Sequence, residues 1–283
     1  MVKSHGSAVI LQPRTREPYP DVGALLRDGP RGLAAARAAD RRVDAIVDYD
    51  ERNLLRPVLQ PGAVVCVGLN YRRHILEMGR ELPEHPTYFS KLARALTDPF
   101  ADIPLPRVSQ RVDYEGELAV VIGRAGRDIG RWECWDYVAG FTVLNDVTMR
   151  DYQRRSPQWF AGKSFQSSTP VGPVIVTTEE LDDLPARELR VSVNDSERQR
   201  ASLGDLVFDV PFLVADLSRI IELQPGDLIA TGTPGGVGEP ENQFLTNGDI
   251  VEVAIDGIGS IRNTFKRQTV LIGASGPREG GEL

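Results

Sequence analysis

Two stretches of this sequence are apolar on both faces of a strand, and they restrict the fold more than anything else in the chain. Leu118-Ala-Val-Val-Ile122 and Val138-Ala-Gly-Phe-Thr-Val-Leu144 are nearly unbroken hydrophobic runs. A strand with one wet face alternates apolar and polar residues; a strand covered on both sides does not. Both runs therefore belong inside a sheet with other layers on each face. A chain of 283 residues is long enough to supply that core.

The ends of the two runs are acidic. Glu115 and Glu117 stand two apart at the mouth of the first run, on one strand face with Ala119 and Val121, and Asp146 closes the second. Two carboxylates about 5 Å apart repel by roughly 3 kcal/mol at an effective dielectric near 20, which is worth more than about two pKa units. Two readings follow. Either the three acids share a cation, or Glu115 and Glu117 are solvated at a strand end and Asp146 caps the next helix. On the first reading the ligands are all oxygen and no cysteine or histidine shows zinc spacing, so Mg²⁺ or Mn²⁺ is favoured, with Ca²⁺ behind.

The remaining motifs lie around this pair of strands. A turn at Leu59-Gln-Pro-Gly62 leads into the strand Ala63 to Gly68, and Asn70 to Gly79 reads as a short helix that Asn70 can cap. His74 and Glu77 share a face of that helix, as a base with its orienting acid or as an exposed ion pair. Thr87 to Lys91 is a possible strand, and Arg150 and Gln153 lie three apart on a helix after Asp146. Gly162-Lys163-Ser164 resembles the end of a phosphate-binding loop, but Pro157 stands where that loop needs a glycine, which rejects the reading. Leu189 to Val193 runs into a turn at Asn194-Asp195, and Pro211 to Ile221 is an amphipathic helix. A second turn, Leu223 to Gly226, leads into a strand and the glycine-rich loop Thr231 to Gly238, which suits close backbone approach to a small anion or is simply a turn. Val251, Val253 and Ile255 alternate before a hairpin turn at Asp256-Gly257.

The organisation read from this is a small N-terminal domain over residues 1–58, with an Ala/Arg-rich helix from Gly32, a main domain over 59–272, and a flexible tail over 273–283. The net charge of −7 argues against nucleic acid or an acidic membrane surface as partner. No run approaches the roughly 18 apolar residues of a membrane span, and the N-terminus lacks a signal-peptide core, so a cytoplasmic protein is expected. In that compartment Cys66 and Cys134 are expected to be reduced.

In combination, Gly68-Leu-Asn-Tyr-Arg-Arg-His74, Asp113-Tyr-Glu115-Gly-Glu117-Leu, Asn145-Asp146-Val-Thr-Met-Arg150-Asp-Tyr-Gln153, Gly162-Lys163-Ser-Phe and Pro225-Gly-Asp-Leu-Ile-Ala-Thr-Gly-Thr-Pro-Gly-Gly-Val-Gly238 resemble the fumarylacetoacetate hydrolase family. The resemblance is to its bacterial acylpyruvate hydrolase and decarboxylase branch and covers about residues 59 to 268. It implies an α+β, β-rich fold with a mixed β-sheet roll, a homodimer, and Glu115, Glu117 and Asp146 as ligands of one divalent metal. It further implies His74 and Glu77 as base and orienting acid, and Lys163 and Gln153 as stabilisers of an oxyanion. Arg150 and Thr233 are expected to grip the substrate carboxylate or its neighbouring oxygens. The implied reaction is hydrolytic C–C cleavage of a small acylpyruvate-type 2-oxo acid through a pyruvate enolate. Decarboxylation of oxaloacetate, isomerisation or hydration of an unsaturated 2-hydroxy diacid, and a non-catalytic binding protein are the alternatives. Arg72, Arg73, Arg80 and Arg154 are candidates for a second substrate carboxylate or are solvated surface.

Overall fold

A computed structural model describes residues 2–4, 7–9, 19–40 and 46–267. The tail expected to be flexible, 273–283, lies outside the described residues. Both apolar runs are neighbouring antiparallel strands, Gly116–Ile122 and Val138–Asn145, at the middle of a seven-stranded mixed sheet. Every residue of Gly116–Ile122 is buried. The strand Leu228–Ala230 pairs antiparallel with it on the other side and runs parallel to Val64–Gly68, whose outer neighbour is Thr87–Ser90. Beyond Val138–Asn145 come Thr169–Val176 and then Leu96–Thr97. A second, five-stranded sheet is built from Ser196–Ser202, Glu188–Val193, Ile250–Ile255, Gly259–Arg267 and Ile103–Leu105. The result is an α+β, strand-rich fold with mixed sheets.

The alternation along Gly116–Ile122 divides the core in two, because successive side chains of a strand point to opposite faces. Leu118, Val120 and Ile122 join Val191, Val253, Ile261 and Phe265 of the five-stranded sheet in one cluster. Ala119 and Val121 join Leu25, Leu26, Val58, Val64 and Val171 in a second. Leu25 and Leu26 lie on the helix Val22–Arg27, started by Asp21, whose carboxylate accepts the Ala24 amide. The N-terminal residues thus cover a face of the central sheet that would otherwise be wet. The Ala/Arg-rich segment is helical over Pro30–Asp40. Cys66 and Cys134 are both free and buried.

The hairpin turn at Asn194-Asp195 has both residues at positive φ, 51° and 64°, as a two-residue hairpin of primed type requires. The helix Val210–Ile220 begins at Asp209, whose side chain accepts the Phe212 amide, and places Pro211 in its first turn. One local expectation is corrected. Asn70 does not cap the helix Arg72–Glu77, which starts at Tyr71 without a side-chain cap. Its amide instead donates to the carbonyls of Phe208 and Thr231, and its oxygen accepts the Phe208 amide. A buried amide with three backbone partners is better satisfied than one spent on an exposed helix end. The consequence is a fixed joint between this helix and the glycine-rich loop.

Candidate metal centre and active site

The antiparallel register sets the acids opposite one another. Gly116 pairs with Asn145 and Glu117 with Leu144, so Asp146 falls beside Glu115 and its amide donates to the Glu115 carbonyl at 2.8 Å. One carboxylate oxygen from each of Glu115, Glu117 and Asp146 lies within 4.8 Å of the others, and all three residues are buried. Gly116 between the glutamates has a packing reason. A Cβ there would stand 2.3 Å from Val191 Cγ2, so only glycine lets the second sheet close against the acid-bearing strand.

Side-chain cations reach into the cluster. Lys163 Nζ donates to Glu115 Oε2 and Asp146 Oδ2, each at 2.7 Å. Lys91 Nζ contacts the other oxygen of Asp146, with both side chains wholly buried. Arg150 Nη1 lies 2.6 Å from Glu115 Oε1. Three clustered acids need positive charge nearby to stay ionised, and the structure meets part of that need with its own lysines and arginine. Lys91 was not foreseen at all, and its only signal was its position at the end of the Thr87 to Ser90 strand.

Glu117 is the exception. Its Oε2 accepts the Gly232 amide at 2.8 Å, and among the described residues no ammonium or guanidinium group forms an ion pair with it. Burial, reinforced by Asp146 and Glu115, pushes its carboxyl well above the usual range. Burial opposes charge on Asp146 as well, but Lys163 and Lys91 outweigh it and hold that carboxyl below its usual value. Burial likewise disfavours the charged Lys163, and Asp146 with Glu115 reverses the balance, so its pKa is raised. A buried glutamate without a cation, next to two further carboxylate oxygens, fits a hard divalent ion such as Mg²⁺ or Mn²⁺, which takes oxygen ligands.

The helix Phe160–Lys163 carries Lys163 inward because Gly162 lets it lie against the helix Arg150–Gln153. A Cβ on Gly162 would stand 2.5 Å from the Gln153 amide nitrogen. Arg150 is 5% exposed and spends its guanidinium on protein groups: Nε and Nη2 reach Asp113 Oδ2 at 2.9 Å each, and Nη1 donates to Gln153 Oε1 at 3.0 Å. The glycine-rich loop closes another side. Thr233 Oγ1 accepts from Gln199 Nε2 at 2.9 Å, while Gln199 Oε1 accepts the Gly116 amide at 3.0 Å. Gln199, fully buried on the second sheet, is another residue that sequence reasoning missed.

His74 and Glu77 lie across this loop. A Cβ on Gly235 would be 3.0 Å from His74 Nδ1 and 3.4 Å from Glu77 Oε2, so both side chains flank the same loop residue, without a hydrogen bond between them. Desolvation lowers the His74 pKa, opposed by Glu77 and Glu115 and assisted by Arg150 and Arg80. The imidazole thus senses the carboxylate cluster electrostatically. Of the four surface arginines, Arg154 is committed to Glu239 at 2.6 Å and Arg73 approaches Asp205 at 3.9 Å, while Arg72 and Arg80 are exposed.

Residues 63–266 match the family described as Fumarylacetoacetate (FAA) hydrolase C-terminal. The chain belongs to that family. It is 41% identical over 236 residues to the oxaloacetate tautomerase YisK of Bacillus subtilis (strain 168), covering 81% of this chain and 78% of the relative. Among solved structures it is similar to maleylpyruvate hydrolase from Sphingobium sp. SYK-6, determined with manganese(II) and pyruvate, at a TM-score of 0.73, 30% identity and coverage of 87% and 86%. It is also similar to 5-carboxymethyl-2-hydroxymuconate delta-isomerase from Mycobacterium smegmatis, at a TM-score of 0.69, 37% identity and coverage of 80% and 84%. Members of the fumarylacetoacetate hydrolase family are thus enzymes of hydrolase, isomerase and tautomerase type. Among the described residues of this member, no helix is long and apolar enough to cross a membrane.

Proposed function

We propose that the protein is a divalent-metal-dependent enzyme acting on a small 2-oxo acid through its enolate, and that it hydrolyses the C–C bond of an acylpyruvate such as fumarylpyruvate or acetylpyruvate. The observation that carries this reading is the half-buried imidazole of His74, disposed towards its neutral form by desolvation and set across the loop from the carboxylate cluster. A divalent ion held by Glu115, Glu117 and Asp146 supplies Lewis-acid polarisation of the 2-oxo group when bound. Neutral His74 takes the proton of a water molecule, whose oxygen attacks the distal carbonyl; the negative charge of Glu77 favours the imidazolium that forms. Lys163, buried and charged, offsets negative charge as the C–C bond breaks to leave a carboxylic acid and the enolate of pyruvate, which is protonated at carbon with the proton that His74 took from water. Gln153 uses its oxygen on Arg150 and keeps its NH₂ for a substrate oxygen. Thr233 accepts from Gln199, which leaves its own hydroxyl proton to donate to the substrate. Arg150, tied to Asp113, Glu115 and Gln153, contributes its charge at the substrate carboxylate. The partners in this reading are the 2-oxo acid and a second copy of the chain in a cytoplasmic homodimer; light scattering tests the dimer.

A second reading is tautomerisation or decarboxylation of oxaloacetate, favoured by the 41% identity to an oxaloacetate tautomerase. It needs the same enol chemistry and no attacking water. Loss of ultraviolet absorbance from acetylpyruvate and fumarylpyruvate with release of pyruvate, with and without Mn²⁺, tests hydrolysis. Decay of the oxaloacetate enol absorbance in the same buffer tests the second reading. Inactivity on every acylpyruvate, with enol decay accelerated, replaces the first reading by the second.

A further inference from the structure

Asp113 sits two residues before Glu115, outside the acid cluster, and its side chain is fully buried. Five donor groups on four residues reach it. Oδ2 takes Arg150 Nε and Nη2, each at 2.9 Å, and the Glu239 amide at 3.0 Å. Oδ1 takes the Gly238 amide at 2.8 Å and the Tyr114 amide at 2.9 Å. Burial disfavours the charge on such a carboxyl, and its donors offset that cost by using every lone pair. Between them its two oxygens reach two different parts of the site, Oδ2 touching both. The Arg150 guanidinium that it grips lies 2.6 Å from Glu115 Oε1, and the Gly238 and Glu239 amides end the glycine-rich loop that carries Thr233.

We propose that Asp113 is a positioning residue that holds the Arg150 guanidinium against Glu115 and anchors the end of the glycine-rich loop, so that one buried carboxylate sets both the metal-ligand side and the substrate side. Arg150 reaches Glu115 through Nη1 while Nε and Nη2 are fixed on Asp113. A planar guanidinium gripped on one edge can present the other in only one direction. Without that grip only Gln153, and Glu239 at 3.8 Å, restrain the guanidinium beside Glu115, and Glu115 Oε1, the oxygen left over by Lys163, keeps Thr148 at 3.4 Å as its other fixed partner. The Glu115 side of this inference rests on the metal reading given above; the loop side does not.

The test uses the full chain. Asp113→Asn is isosteric; it keeps one oxygen for the Gly238 and Tyr114 amides and presents an NH₂ to Arg150 and the Glu239 amide, where donors face donors. By calorimetry its Mn²⁺ affinity is expected to fall about 10- to 100-fold, the range for groups that orient metal ligands. In an Arg150→Gln background the same change is expected to add less than about twofold, because the effect passes through Arg150. Asp113→Ala is expected to raise hydrogen exchange at the Gly238 and Glu239 amides by at least about tenfold. Wild-type Mn²⁺ affinity in Asp113→Asn overturns the proposal whatever the melting temperature, as does full additivity with Arg150→Gln. If the unmodified protein takes up no Mn²⁺, the metal reading fails by itself, and unchanged exchange in Asp113→Ala then overturns the anchor. Should the alanine variant not fold, exchange is read in Asp113→Asn, where wild-type protection at Glu239 has the same meaning.

Discussion

The carboxylate cluster and the helix that carries His74 are two halves of one site, built on opposite principles. The first is buried and locked: Glu115, Glu117, Asp146, Lys91 and Lys163 are all buried, and Lys91 and Lys163 fix the charges of Asp146 and Glu115 beside Glu117. The second is a six-residue helix with Arg72, Arg73, Leu76 and Glu77 exposed, tied down mainly through Ile75 in the core and Asn70 at its base. Electrostatic stabilisation needs preorganised charge in a water-poor place, whereas a base that works on water needs access to it. The contrast predicts that damage to the cluster removes both metal binding and stability, while damage to the helix removes chemistry alone.

The largest expected effect is at Glu117. Glu117→Gln should lower Mn²⁺ affinity more than about 100-fold and abolish turnover, as read by calorimetry and by pyruvate release. Burial pushes the Glu117 carboxyl up and a metal ligand must be ionised, so Mn²⁺ affinity should rise with pH; calorimetric titrations across a pH series measure it. An affinity independent of pH would remove the raised Glu117 carboxyl from the account. Next comes His74→Ala, which should slow acylpyruvate hydrolysis by about 10²- to 10⁴-fold with Mn²⁺ affinity unchanged. If that variant loses the metal too, the two halves are not separable. Decarboxylation of oxaloacetate is expected to survive it.

Lys163→Met tests the locked half for stability. It leaves Glu115 and Asp146 each short of one buried partner, which should cost about 3 kcal/mol in denaturant titrations without metal, with Mn²⁺ restoring much of it. A variant as stable as wild type without metal would show that the lysine is not what holds the acids. The smallest effect concerns pH. A base is active in its neutral form and is lost as pH falls through its pKa; desolvation lowers that of His74 below 6.5, so hydrolysis should persist into mildly acid solution before it declines. Glu77→Gln, removing the charge that opposes this shift, should move the acid limb lower still and reduce the rate by less than about tenfold. An acid limb that moves upward would contradict the assigned roles.

The difference between the halves also tracks what could be read from residues alone. His74 and Glu77 share a helix turn, and Arg150 and Gln153 another, so helical periodicity shows them together; the Arg150 to Gln153 hydrogen bond is there. The acids were legible through strand alternation and the shared end of two apolar runs. Lys91 was not, because it meets Asp146 across 55 residues of sequence, and an ion pair between distant segments leaves no periodic trace. Gln199 and the Asp113 contacts to Gly238 and Glu239 escaped for the same reason. Asn70 reads as a cap because capping chemistry is local, whereas its partners in the structure, Phe208 and Thr231, are distant in sequence.

By itself the sequence determined the two central strands, the acids at their ends and the family, since hydrophobic runs, period-two spacing and compact motifs are local properties. Only the tertiary structure decided which cations enter the acid cluster, that Glu117 has no ion pair among the described residues, and that Asp113 joins Arg150 to the glycine-rich loop. Those facts depend on register and packing between segments far apart in the chain. There burial multiplies the value of a partner and the cost of lacking one.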